Sequence, residues 1–425
     1  MKFIPYWLDT APTLPDEPNP RVDAKADVAI IGGGLTGLSA ALALAAKGAS
    51  VTLLEQGEVG SSASGRNGGM CTPGLAISFS QGVAQFGPER AARYLKAYND
   101  AIDTVERLVN EEGIDCDFKR VGKLNLAYKP SHYERLARNH ELMAKHAGQE
   151  TILVPKAEIR NEVGSDYYHG AMVDPLGAGL HVGRFVRGLA ASARARGARI
   201  HQNTPVTNIR RLDGHKHELE TPNGTIRADQ VLLATGSKTG RPFPFFRQRI
   251  VPVGSYIIAT EPLSEEVCNE LMPTRRMASD SKNLLFYFRI TPDNRLLFGG
   301  RARFTSADPQ ADQTSGRILE KAMREVFPQL ARTRIDYCWG GLVDATADKM
   351  PRAGVREGLY YTMGYSGHGV QMSTHMGAQM ARVMSGEHEA NVWHDMDWPG
   401  IPGHATLPIT LPIVGAYYRF KDMVS

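Results

Sequence analysis

Cysteine is scarce in this chain of 425 residues, with 4 in all, at Cys71, Cys116, Cys268 and Cys338. They stand far apart and form no C-x-x-C pair, which argues against a disulfide framework and a zinc knuckle, so no metal site is expected. Such usage suits a reducing cytoplasm. Long apolar runs are missing too: a membrane-spanning helix takes about 20 residues, and no stretch supplies them. The amino-terminal stretch to Arg21 is interrupted by Pro5, Pro12, Pro15, Pro18 and Pro20, and it lacks the apolar centre of an export signal. The apolar stretch from Leu407 to Tyr418 holds Pro408 and Pro412 and reads as a packed tail rather than an anchor. Neither sign of charge dominates. Lys and Arg number 49 against 45 Asp and Glu, a net +4 without a long run of either sign, so nucleic acid is not an expected partner. The expectation is a soluble cytoplasmic protein.

At 42% hydrophobic residues, the chain can bury a core large enough for two interleaved parts. Asp27 to Ile31 is a short apolar run opening straight into glycines, as a buried parallel strand does before a tight turn. Leu35 to Lys47, rich in Leu and Ala and closed by Gly48, predicts a helix with a left-handed cap, and Ser50 to Leu54 predicts the second strand. Apolar residues at three and four residue steps predict helices over Pro88 to Gly113 and His181 to Arg196. Alternation predicts strands at Lys123 to Lys129, Gly254 to Thr260, Leu284 to Arg289 and Arg295 to Gly299, the last two joined by a turn at Pro292 to Asn294. No repeat is present. The fold class expected is α/β: a Rossmann-like part over residues 1–80, 155–240 and 340–425, interleaved with an α+β part over 81–154 and 241–339 built on a mostly antiparallel sheet.

Gly32, Gly34 and Gly37 spell G-x-G-x-x-G directly after the first strand, and Glu55 ends the second. The first glycine makes the turn, the second admits a pyrophosphate, and the third lets the helix opened by Leu35 and Thr36 pack on the sheet, its amino terminus facing negative charge. Glu55, followed by Gln56, suits ribose hydroxyls and repels a 2′-phosphate. The spacing alone allows NAD or FAD. The loop from Ser61 to Gly69 decides for a flavin, because Ser62, Ser64, Gly65, Gly68 and Gly69 free many amides, while Arg66 adds charge and Asn67 a carboxamide. Val206 and the strand ending Ala234-Thr235-Gly236 are expected to close over the adenosine. Gly364, Gly367, His368, Gly369, Val370 and Gln371 open a helix whose amino-terminal dipole suits the pyrimidine end of a flavin. His368 reads equally well as a loop residue or as a direct contact to flavin or substrate.

These motifs resemble the D-amino acid oxidase and glycine oxidase type of FAD-dependent oxidoreductases over nearly the whole length. The Ser64 to Gly69 loop, the Tyr365 to Val370 motif and the tail from Gly415 to Lys421 look most similar to the gamma-glutamylputrescine oxidase branch. The resemblance implies oxidation of a CH–NH bond to an imine and hydrolysis to an aldehyde, a step of polyamine catabolism, with a small amine as substrate and oxygen or another electron acceptor as partner. Homo-oligomers are compatible with it. Some relatives attach flavin through a histidine or a cysteine; Ser64 stands at the first position and Lys349-Met350-Pro351 at the second, so FAD is expected to be non-covalent. Tyr256, Phe286, Tyr287, Arg301 and Trp339 are the candidates to line the substrate face, with Tyr256, Tyr287, Trp339 and His368 as the catalytic set. Two other readings stay open: an oxidase or dehydrogenase of glycine, sarcosine or D-amino acids, which needs an arginine for the carboxylate, and a flavin-binding electron-transfer protein.

Overall fold

The computed structural model describes residues 1–16, 21–300, 309–407, 410, 415–417 and 422. Two eight-stranded sheets organise the chain. In the first, Lys25–Ile31 lies between Val51–Leu54 and Gly224–Leu233, parallel to both. Arg199–His201 and Leu359–Met363 extend the parallel set on either side. Val28 and Ile30 face one hydrophobic core, and Ala29 and Ile31 face another. A strand buried on both faces explains why the sequence there is a continuous apolar run without alternation. Helices Leu35–Ala46, Pro88–Glu111, Val182–Ala195 and Gly369–Met384 contribute their apolar stripes to the first of those cores.

The second sheet runs in the order Ile335–Ala345, Val251–Thr260, Leu296–Gly300, Phe286–Ile290, Met277–Asp280, Lys123–Leu126, Gly170–Asp174, Ile152–Pro155. All its pairs are antiparallel except Met277–Asp280 with Lys123–Leu126. One face packs on the first core. The other carries Ile258, Phe288, Phe298 and Cys338, covered by Leu319, Met323 and Val326 from helix Pro309–Val326.

The expected elements occur, with shifted ends. The strand read at Gly254 to Thr260 forms over Val251–Thr260, and that read at Leu284 to Arg289 forms over Phe286–Ile290. Three elements cross the divisions expected from sequence. Gly170–Asp174 lies within 155–240 yet pairs in the second sheet; every residue of it is buried, so no alternation marked it as a strand. Ile335–Ala345 runs straight through position 340. Helix Pro88–Glu111, placed by sequence with the second part, buries Tyr94, Tyr98, Ile102 and Val105 in the core shared with the first sheet and its helices. Among the described residues no helix is long and apolar enough to cross a membrane.

Candidate active site

The glycine turn is tight because the backbone leaves no room for a side chain. Gly32 has φ +113°, and a Cβ there would lie 2.5 Å from the Ala234 carbonyl oxygen; one at Gly37 would lie 2.0 Å from the Gly32 oxygen. Gly34 precedes helix Leu35–Ala46 without a side-chain cap of its own. The Leu35 amide donates to Ser64 Oγ at 3.0 Å, which ties the helix start to the following loop. Thr36 turns inward, its hydroxyl 2.9 Å from that of Tyr365, so only its main chain is available to a phosphate. Glu55 accepts from the Gly33 amide at 2.6 Å and the Gly57 amide at 2.9 Å. Those bonds fix its carboxylate and leave lone pairs for ribose hydroxyls. Gln56 is exposed, and Val206 packs in the core with Ile31 and Leu54.

In the loop that follows, the two polar side chains expected to face the cofactor are used by the protein itself. Arg66 donates from Nε to the Ser61 carbonyl at 2.7 Å and from Nη1 to the Gly340 carbonyl at 2.9 Å, fastening the loop to the second sheet. Asn67 donates to the Ser64 carbonyl and accepts from the Gly69 amide at 2.8 Å, closing the turn on itself. Ser62 and Gly65 belong to the same turn, the Gly65 amide donating to the Ser62 carbonyl at 3.1 Å. The loop carbonyls are held from outside. Trp339 Nε1 donates to that of Arg66 at 3.1 Å, Trp7 Nε1 to that of Asn67 at 2.7 Å, and Arg289 Nη1 to that of Gly69 at 2.5 Å. Because a peptide is planar with N–H opposite C=O, the Asn67 and Gly68 amides face away from the two indoles. Neither has a protein acceptor among the described residues, and Gly68 is buried. Trp7 and Arg289 carry no motif, so sequence reading passed over both.

The third segment converges on the same region. Gly364, at φ +86°, donates its amide to Asp344 Oδ2 at 2.7 Å, and the Ser366 amide donates to the Asp344 carbonyl at 3.0 Å. A Cβ on Gly236 would lie 3.4 Å from the same Asp344 carboxylate. Thr235 pairs instead with Thr239, hydroxyl to hydroxyl at 2.7 Å. Asp344, absent from the sequence-based set, thus ties the end of Leu359–Met363 to the second sheet, close beside Gly236, and burial pushes its carboxyl up to about 6. Gly367 and Gly369 have open space where a Cβ would stand, just at the start of helix Gly369–Met384. Val370 packs in the core behind them. His368 is half-buried with Nδ1 enclosed and unpartnered among the described residues; burial, aided by the charges of Lys123 and Lys349, lowers its pKa to about 3. Gln371 donates to the Thr72 carbonyl at 2.6 Å and leaves Oε1 enclosed and unpartnered.

The second sheet divides the aromatic candidates by face. Tyr256 and Phe286 join the core beneath helix Pro309–Val326, turned away from the cofactor motifs, which removes both from the substrate face. Tyr287 and Trp339 lie on the facing side. The Tyr287 ring covers Gly299, stands beside Gly68 and bonds through its hydroxyl to Ser255 at 3.1 Å. Arg301 lies outside the described residues. His368, Tyr287 and Trp339 are therefore the sequence-based catalytic candidates that share this side.

These groups fit FAD. Two helix amino termini, the unclaimed amides of Asn67 and Gly68, and the enclosed polar atoms of His368 and Gln371 are the complement of a dinucleotide's phosphates and of a flavin's polar edge. Comparison with known proteins agrees. The chain is 33% identical to the gamma-glutamylputrescine oxidoreductase of Escherichia coli, over 93% of this chain and 92% of that one. It is 34% identical to a probable oxidoreductase, OrdL, of Rhizobium meliloti, over 98% and 97%. In fold it matches the glycine oxidase of Geobacillus kaustophilus with a TM-score of 0.75 at 22% identity, covering 89% of this chain and 97% of that structure. Residues 27–383 match the family described as DAO, FAD dependent oxidoreductase, and the chain belongs to that family.

Proposed function

We propose that this oxidoreductase acts on the carbon–nitrogen bond of an amine, gamma-glutamylputrescine or a close relative. Hydride leaves the carbon and a proton leaves the nitrogen, giving an imine that water hydrolyses to an aldehyde and ammonia or an amine. When bound, FAD supplies the two-electron acceptor, itself reoxidised by oxygen or another acceptor. The backbone at Gly32 and Gly34 and the start of helix Leu35–Ala46 would hold the pyrophosphate, Glu55 the ribose, and the Asn67 and Gly68 amides with the Gly367–Gly369 turn the flavin. Tyr287 and Trp339 exclude water and orient the substrate. The dry surroundings that keep His368 neutral also favour the uncharged amine, the form that gives up hydride.

The observation that carries the amine reading over an amino-acid reading is the fate of the arginines. Among the described residues, Arg66 in the loop and Arg289 on the sheet face turned to it already donate to main-chain carbonyls, whereas an amino acid needs a guanidinium beside its reacting carbon. Non-covalent attachment is supported by the cysteines: Cys71 is fully buried with its thiol pushed far above the ordinary range, and Cys338 lies in the core on the opposite face.

Anaerobic addition of gamma-glutamylputrescine to the purified yellow protein tests the reading. The flavin absorbance should bleach, with peroxide or reduced dye formed once an acceptor is admitted. Bleaching by glycine, sarcosine or D-amino acids in preference to the amine would overturn it, as would no bleaching by any amine. Acid precipitation should release the FAD.

A further inference from the structure

The strand Lys123–Leu126 alternates, and its two leucines are buried in the core beneath helix Pro309–Val326, so Lys123 and Asn125 stand on the face turned to the cofactor motifs. The register carries one row across the sheet, from Asn125 to Ser279, Tyr287, Gly299, Ile257 and Trp339. Lys123 begins the neighbouring row, and it is near enough to His368 for its charge to act on that imidazole. Lys123, Asn125 and Ser279 are each only half-buried. Among the described residues none of the three side chains has a hydrogen bond, and Lys123 makes no salt bridge, the Asp174 charge acting on it only from a distance. Asp174, its neighbour in the register, is occupied by the Gln149 amide at 2.6 Å and the Leu176 amide at 3.1 Å. None of their polar atoms is enclosed by protein, so all three are open to a ligand.

Distance indicates which ligand. Lys123 lies two strands from Tyr287, and strands are spaced about 4.8 Å apart, so its main chain is at least about 10 Å from that of Tyr287, whose ring stands beside the flavin loop. An α-amino acid carries its carboxylate on the carbon that reacts, whereas a longer amine can carry one away from it. A γ-glutamyl-diaminobutane, about three residues long when extended, spans about 10 Å. We propose that Lys123, with Asn125 and Ser279 beside it, binds a carboxylate at the far end of the amine substrate and so selects amines that carry one. The assignment rests on the proposed function and names the distal half of its substrate.

The experiment compares gamma-glutamylputrescine with N-acetylputrescine, which has the same amine and amide but no carboxylate, on the FAD-loaded wild type and on Lys123→Met and Lys123→Arg. The ratio of kcat/KM for the two substrates should favour the carboxylate in the wild type. It should fall about tenfold or more in K123M, through KM rather than kcat, as expected for loss of a charged hydrogen bond. K123R should retain much of the ratio. An unchanged ratio in K123M, or an equal loss on both substrates, overturns the assignment. Should K123M not fold, Asn125→Ala must lower the ratio in the same direction, and an unchanged ratio there overturns it instead. A wild type that oxidises neither amine refutes the proposed function and this assignment together, whereas oxidation of both at equal efficiency refutes only the assignment.

Discussion

Replacing Gly377 by Ala should weaken this protein although alanine is the better helix former. Gly377 lies within helix Gly369–Met384, where exchange of glycine for alanine ordinarily gains about 1 kcal/mol. Here a Cβ would stand 2.2 Å from the carbonyl oxygen of Thr36 and 3.1 Å from Ser39 Cβ, both on helix Leu35–Ala46. To bring the first contact out to about 3.5 Å, the helices must part by about 1.3 Å. That movement strains the bond from Ser39 Oγ to the Thr374 carbonyl, 2.7 Å, and the Thr36–Tyr365 hydroxyl pair, 2.9 Å, each of which contributes about 1 kcal/mol. With overpacking at about 1 to 3 kcal/mol, the net effect is a loss of about 2 to 4 kcal/mol. Both helices present their amino termini to the cofactor region, so the loss should appear twice: as a melting temperature lowered by a few degrees, and as weaker FAD binding in a fluorescence titration of the apoprotein. A G377A protein that melts at or above the wild type and binds FAD equally well would refute the close crossing of these helices.

Three further outcomes follow from the geometry. Asp344 has its carboxyl raised to about 6 by burial. Its folded form therefore holds the proton longer than the unfolded chain does, and its contribution to stability falls as pH rises from about 4 to about 6. Asp344→Asn should remove that slope, and the stability difference between the two proteins, read from denaturant curves at pH 4 and pH 7, should change by about 3 kcal/mol; a pH-independent difference would refute it. Tyr256→Phe should leave KM and kcat as they are, because its side chain sits in the core on the far face, and a changed KM would show that face to be wrongly assigned. Trp7→Phe removes the donor to the Asn67 carbonyl and should weaken FAD binding about fivefold, the value of one neutral hydrogen bond, while the corresponding change at Trp398, which donates to the Arg249 carbonyl, should not.

The turn proposed to hold the cofactor was legible because its geometry constrains the main chain. Gly32 and Gly37 are glycines for steric reasons that any Rossmann turn shares, so strand, triplet and acid can be recognised without knowing what packs around them. The same logic does not reach Gly377, whose partner Thr36 is more than three hundred positions earlier, nor Trp7 and Arg289, which act through single main-chain carbonyls. The substrate half was misread at Tyr256 for a definite reason. Val251–Thr260 is buried on both faces over Tyr256, Ile257, Ile258 and Ala259, so its sequence carries no inside-to-outside contrast, and only pairing with Leu296–Gly300 settles which parity faces the flavin. Lys123–Leu126 presents the opposite case. Its alternation of lysine, leucine, asparagine, leucine was plain, and the usual inference from such a pattern is that the polar half faces solvent. What faces it instead is the cofactor-binding part, brought there by segments from both ends of the chain. The identical pattern that marks a solvated surface in an open sheet lies here on the face turned to the first core, and that is why the side chains proposed to select the substrate have no distinguishing mark in the sequence.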